Sequence, residues 1–343
     1  MLIKEEKKFS EGPMIRNILI MTILFNLLLI SCSSPVETEP VNLNVVDSIT
    51  GTCSSIAAKD SLLFATFDGL SKQVVEAWDL SADPSNSKIG HLTREGYLVR
   101  DLKIIDQYLI IMEGSDGGLF VDLSGENFRA VGRLIDSNDS NFFAFDLEIT
   151  DNFVFCAAGK AGLQAYYRQD SDNDYLKFSL LDKVGLSGTV SSVEMGNNII
   201  FAACWDSKEL FLFRFNDSNF EKLSQLEDLP AIADMVLVDS MLFVAGESEG
   251  LYLVDVSNPH EPEVVKNIID FPAYDLVGFG DFILVAADVQ GVIAVDREGQ
   301  VVATCSETSP AERLARGDSL LFVAHAGRIP RGFIWFVDLS PIY

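Results

Sequence analysis

Four aspartates occupy one recurring position in this chain. Asp101, Asp146, Asp234 and Asp275 each stand five or six residues before a turn that opens an apolar run. The matching positions elsewhere hold Ser55, Ser192 and Arg313. Carboxylates brought around one axis would form a collar for a cation or a cationic ligand. The competing reading is architectural, because a buried carboxylate must find backbone N–H partners and so can set the spacing of neighbouring elements. A second group is basic. Arg313 and Arg316 precede His325, Arg328 and Arg331, which surround Ile329-Pro330. Converging guanidinium groups capture carboxylate, sulfate or phosphate through charge-assisted pairs. Local charge balance against the acids would use the same residues. Tyr97, Phe142, Phe143, Trp205 and Tyr274 fall at the same end of the pattern, where aromatics beside a wet rim bind sugar or peptide, or pack the core. Arg313, His325, Arg328, Arg331, Tyr97, Phe143 and Tyr274 are therefore the candidate ligand set.

Signals of catalysis are thin. His91, His260 and His325 lie far apart, and no H-E-x-x-H, G-x-S-x-G or P-loop occurs. Asp170, Asp172 and Asp174 resemble the start of a calcium loop but lack its central glycine and closing glutamate. No C-x-x-C is present, so no zinc ribbon is expected and no cofactor is implied. Among Cys53, Cys156, Cys204 and Cys305, the pair Cys156–Cys204 is best placed for a disulfide, since both end corresponding strands; otherwise all four are small buried hydrophobes. The net charge of -26 disfavours nucleic acid as a partner.

The elements behind these residues repeat. An acid or amide followed by an apolar run begins at Asp60, Asp106, Asp151, Asn197, Asp239, Asp281 and Asp318. A strand-only period of about forty residues marks a propeller blade. The fifth repeat predicts strands over Ile232–Val238, Met241–Ala245, Leu251–Val256 and Glu263–Ile269. The last repeat stops after three strands, while Val41–Val46 is an unpaired strand before the first. The expectation is an all-β, seven-bladed propeller of four-stranded blades spanning residues 41–343, with Val41–Val46 completing the last blade and covering its edge.

Gly250 to Pro262 reads G-L-Y-L-V-D-V-S-N-P-H-E-P. This resembles the LVIVD repeat, G-L-x-I-I-D-V-S-D-P-x-x-P, and the likeness is weakest in the third and fourth repeats. The resemblance implies a propeller-like, secreted or surface-attached bacterial protein and no defined reaction. Residues 1–31 read as a signal peptide, with Met14 a candidate start and an apolar run from Ile18 to Ile30. Leu29-Ile30-Ser31-Cys32 resembles a bacterial lipobox, which implies a diacylated Cys32, an outer-membrane lipoprotein facing periplasm or cell surface, and residues 32–40 as a tether. The functional expectation is a lipid-anchored binding module for an envelope or extracellular protein or glycan. The alternative is a carbohydrate hydrolase or lyase using carboxylates at the propeller mouth.

The anchor is testable in cells. Cys32→Ala should release the protein from membranes or leave an uncleaved precursor. Fractionation of that variant like the wild type, after normal processing, would remove the lipoprotein reading.

Overall fold

A computed structural model of the chain describes residues 40–342 except 52, 69–71, 82–87, 96–97, 126–127, 171–174 and 326–331. The signal segment, Cys32, Tyr97, Asp172, Asp174, Arg328 and Arg331 lie outside the described residues.

Two strands come first, β1 (Val41–Asn42) and β2 (Asn44–Thr50). Antiparallel groups then follow in chain order. The first is β3–β6 (Cys53–Lys59, Leu62–Asp68, Lys72–Asp79, Lys88–Glu95) and the next β7–β10 (Asp101–Ile105, Tyr108–Met112, Gly118–Asp122, Arg129–Leu134). After them come β11–β14 (Phe142–Ile149, Phe153–Gly159, Leu163–Asp170, Leu176–Val184) and β15–β18 (Val190–Gly196, Ile199–Cys204, Glu209–Phe215, Phe220–Leu226). Then stand β19–β22 (Asp234–Val238, Met241–Ala245, Leu251–Asp255, Glu263–Ile268) and β23–β26 (Leu276–Phe279, Phe282–Ala286, Val292–Val295, Val301–Cys305). The last group is β27–β29 (Arg313–Arg316, Leu320–Ala324, Phe333–Asp338). In the fifth repeat the second strand has the expected bounds, and the other three differ by one or two residues, the usual fraying of strand ends.

Local backbone demands explain why the repeat is spelled as it is. The turn between first and second strands needs a left-handed residue, which Asp and Asn tolerate better than most. Asp60, Asp106, Asn197 and Asp239 have φ of 53°, 53°, 53° and 55°. In the sixth repeat Gly280 (φ 58°) takes that place beside Asp281. At Asp151 the turn is closed differently, by Phe153 N–H donating to Thr150 Oγ1 at 3.0 Å. The glycine that opens the third strand has a second cause. At Gly117, Gly162, Gly250 and Gly291 an added Cβ would stand only 2.0–2.2 Å from the carbonyl oxygen of Leu134, Val184, Ile268 or Cys305. No side chain fits there, and φ is positive at each.

The second strands are buried throughout because apolar clusters cover both their faces. Each cluster lies between successive groups: Phe243, Leu253, Phe271 and Ile283 join β19–β22 to β23–β26. Ile56, Leu63, Phe322 and Phe336 join the first group to the last, with Phe322 and Phe336 edge to face at 5.0 Å. A fully buried Leu or Phe contributes roughly 1.5–3 kcal/mol. Cys156 and Cys204 belong to different clusters, and all four described cysteines are free and buried. The Cys156–Cys204 bridge is thus corrected: both thiols serve as small core hydrophobes.

The N-terminal strand departs from expectation in an informative way. β2 pairs antiparallel with β29 over Asn44–Thr50, so the outer strand of the last group extends beyond Val46. Val41–Asn42 instead pairs parallel with β26 of the preceding group. Leu43 sits between the two pairings. It is 3% exposed, packs among Leu284, Val323 and Val337, and donates its N–H to Thr304 O at 2.8 Å. One segment therefore straps two neighbouring sheets, because a single buried leucine needs both to cover it.

Leu43→Ala should cost about 2–5 kcal/mol, the usual range for a buried leucine. Thermal or denaturant melts should show it; an unchanged midpoint would mean the strap adds nothing to stability.

Candidate functional site

The first strands form the inner edge of each sheet. β3 packs beside β7, β7 beside β11, and so on through β15, β19 and β23 to β27, which packs beside β3. An inner edge carries backbone N–H groups that no ladder partner reaches. The recurring acidic register supplies acceptors for them. Leu102 N–H donates to Ser55 Oγ (2.8 Å), and Val193 N–H to Asp146 Oδ2 (3.0 Å). Leu276 N–H donates to Asp234 Oδ2 (2.9 Å), and Leu314 N–H to Asp275 Oδ2 (2.7 Å). Each bond joins one repeat to the next. Asp101, Asp146 and Asp275 also accept the N–H of their own following residue. Where the register residue is Arg313, no such acceptor exists.

These strands enclose a cavity of about 800 Å³, to which β3, β7, β11, β15, β19, β23 and β27 all contribute. Asp101, Asp146, Asp234, Asp275 and Arg313 line it, so the register residues do converge. Burial raises the carboxyls of Asp101, Asp234 and Asp275 above the ordinary range. For Asp101 and Asp275, the Arg313 guanidinium opposes that rise. For Asp234 the neighbouring Asp275 adds to burial and pushes its carboxyl well up.

A second tier lies two residues further along, on the same strand face. Lys103, Glu148 and Glu194 occupy three of its positions, while Ala57, Val236, Val277 and Ala315 fill the others. Lys103 Nζ stands 3.1 Å from Asp146 Oδ1 and 2.5 Å from Glu148 Oε1. Burial works against charge on Lys103, but Asp146, Glu148 and Glu194 outweigh it and hold the ammonium well above its ordinary value. Burial, then Glu148, pushes Glu194 up to about 8. This tier went unnoticed in the sequence. Its signal was the i, i+2 step from Asp101, Asp146 and Ser192 to Lys103, Glu148 and Glu194.

The remaining candidates are dispersed. Arg313 lies among the acids of the cavity, and its Nη1 donates to Glu312 O at 3.2 Å. His325 Nδ1 is 3.2 Å from Glu312 Oε1, in a largely buried position. That ion-pair distance lacks hydrogen-bond geometry, since both His325 nitrogens are without such a partner. Tyr274 and Trp205 line the cavity, and Trp205 Nε1 donates to Glu247 Oε1 at 3.3 Å. Phe143 packs against Phe145 in a tilted arrangement with centroids 4.6 Å apart and lies beneath the Arg100 guanidinium. Phe142 is core. Among the described residues, no group of three or more His, Cys, Asp or Glu is arranged to hold a metal ion.

No family model matches the chain, and no curated protein matches it. Solved structures do resemble it. BamB from Moraxella catarrhalis superposes with a TM-score of 0.56 at 11% identity, covering 86% of this chain and 99% of that one. The fold is a β-propeller. Sqt1 of Saccharomyces cerevisiae gives 0.59 at 12% identity over 86% and 88% of the two chains. The computationally designed Ika8 protein gives 0.57 at 10% identity over 86% and 98%. At such identities the likeness concerns the propeller fold alone.

Glu194 makes the charge arrangement measurable. Its folded carboxyl titrates at about 8 against an ordinary 4.5, so the folded protein holds the extra proton between these values. Its contribution to stability is full below 4.5 and is lost as pH rises through about 8. Glu194→Gln should flatten the fall in melting temperature across that window. An unchanged pH profile would contradict the assignment.

Proposed function

We propose that this protein is an envelope binding module: a seven-bladed propeller, lipid-anchored through Cys32, whose recognition face is the end where the axial cavity opens. The LVIVD-like repeats and the lipobox-like Leu29-Ile30-Ser31-Cys32 support an outer-membrane lipoprotein. The contact of β27 with β3, the cluster shared by the first and last groups, and the β2–β29 pairing support a closed ring of seven. One observation carries the binding reading. A cavity of about 800 Å³ opens where every first strand converges, and it combines several carboxyls with aromatic walls at Trp205 and Tyr274. Rigid blades holding variable loops suit recognition.

Carbohydrate hydrolysis is the second reading, because burial raises the Asp234 and Asp275 carboxyls within one cavity. Its geometry favours it less. Asp234 and Asp275 are already engaged as acceptors of the Leu276 and Leu314 N–H groups that join the repeats.

The test is a binding screen on immobilised peptides and glycans with the wild-type protein, Trp205→Ala and Arg297→Ala. Trp205 lies at the cavity, whereas Arg297 joins Asp239 and Asp281 beside the turns at the opposite end. Ligands should be lost with Trp205→Ala and kept with Arg297→Ala. The reverse pattern would move the recognition face to the other end.

A further inference from the structure

We propose that the cavity mouth seats a primary ammonium group borne on an aliphatic chain, with the cation set against Asp234 and Asp275; this rests on the mouth being the recognition face.

The argument begins with unbalanced charge. The two tiers hold Asp101, Asp146, Asp234, Asp275, Glu148 and Glu194 against Arg313 and Lys103, and the rest of the cavity lining adds Asp206 and Glu247 against Arg100 and Arg316. Lys103 is engaged by Asp146 and Glu148. Arg313 stands nearest in effect to Asp275 and Asp101, and among the described residues it forms no ion pair within 4.0 Å of a carboxylate. Among the described residues, no lysine, arginine or histidine nitrogen lies within 4.0 Å of Asp234 or Asp275. Buried carboxyls without a cation either keep a proton or receive a cation from outside.

The walls specify what kind of cation. Beneath the pair, Val236, Val277 and Ala315 make the apolar part of a tier whose charged positions hold Lys103, Glu148 and Glu194. No metal-holding cluster is present among the described residues. At the entrance stand Trp205, 49% exposed, and Tyr274, both of which line the cavity. Aromatic faces attract an ammonium and cover the methylene stem that carries it. A compact ammonium, with three freely turning donors, suits two carboxyls already holding backbone N–H groups better than a planar guanidinium fork does.

The rim points to a protein source for that group. Ile269 and Val289 are 74% and 70% exposed, on the connections at the cavity end. Those connections are tied to one another: Gln290 Nε2 donates to Asp270 O at 2.9 Å, and Ala273 N–H to Glu247 O at 2.8 Å. Glu247 and Asp288 belong to these linked connections. An extended segment with a lysine between apolar residues would match this surface in both charge and polarity.

Titration calorimetry on the full-length protein in detergent decides the matter. The probes are acetyl-Leu-Lys-Leu-amide, the same peptide acetylated on its lysine, and 1,5-diaminopentane. The lysine peptide should bind at least about tenfold more tightly than its acetylated form, since acetylation removes the charge. The double variant Asp234→Asn/Asp275→Asn should lose at least about tenfold, because a neutral amide cannot pair with the cation. Both amides still accept the Leu276 and Leu314 N–H bonds, so an unchanged melting temperature verifies folding. Tighter binding of the peptide than of the diamine assigns the ammonium to a protein lysine; the opposite order assigns it to a free amine. Equal binding of both peptides, indifference to the double variant, or no binding of any probe overturns the proposal. If screened ligands of another kind are still lost with Trp205→Ala, the recognition face stands and only the ammonium assignment falls.

Discussion

The fold depends on how the inner edge of each sheet is satisfied. A four-stranded sheet standing radially has one edge at the axis, where water is scarce and no further strand can pair. Here the neighbouring repeat provides the missing acceptor. The carboxylates of Asp146, Asp234 and Asp275, and the Ser55 hydroxyl, take the N–H groups of Val193, Leu276, Leu314 and Leu102. Hydrogen bonds to a charged acceptor are roughly twice as strong as neutral ones. They also fix the spacing between repeats that the apolar clusters fill but cannot define, since hydrophobic packing is not directional.

That solution creates the electrostatic character of the axis. Several carboxyls now face one another across a cavity that excludes much of the solvent. Burial, then mutual repulsion, raises the pKa values of Asp101, Asp234 and Asp275, and Arg313 relieves only part of it at Asp101 and Asp275. Architecture and recognition are therefore not separate readings of the aspartate register. The carboxyls that accept a neighbour's N–H also line the cavity. A site of this kind is stiff, because its polar groups are held by the same bonds that hold the repeats together.

Much of this was legible in the sequence because it rests on local rules. Asp or Asn at a left-handed turn, glycine where a carbonyl leaves no room for Cβ, and apolar runs buried on both faces each follow from one short stretch of chain. The convergence of Asp101, Asp146, Asp234 and Asp275 followed from their common register. Elements that depend on two distant partners were not legible. Leu43 is buried only because two sheets meet around it, so the split of the N-terminal strand could not be read from Val41–Val46 alone. Likewise Arg313 stood out as a basic anomaly, while its place among Asp101, Asp234 and Asp275 depends on residues far away in the chain. The Lys103–Glu148–Glu194 tier was readable in principle, but three charged residues in an acidic chain attract no notice until the first strands are aligned.

The central claim is that a carboxylate of one repeat holds the inner-edge amide of the next. Amide hydrogen exchange at Leu314 tests it most directly, comparing the wild type with Asp275→Ala and Asp275→Asn under native conditions. The account predicts slow exchange in the wild type, fast exchange in the alanine variant, and intermediate or retained protection with asparagine, which still offers an acceptor. If the Leu314 amide exchanges as slowly in Asp275→Ala as in the wild type, the aspartate does not hold it and the account is contradicted.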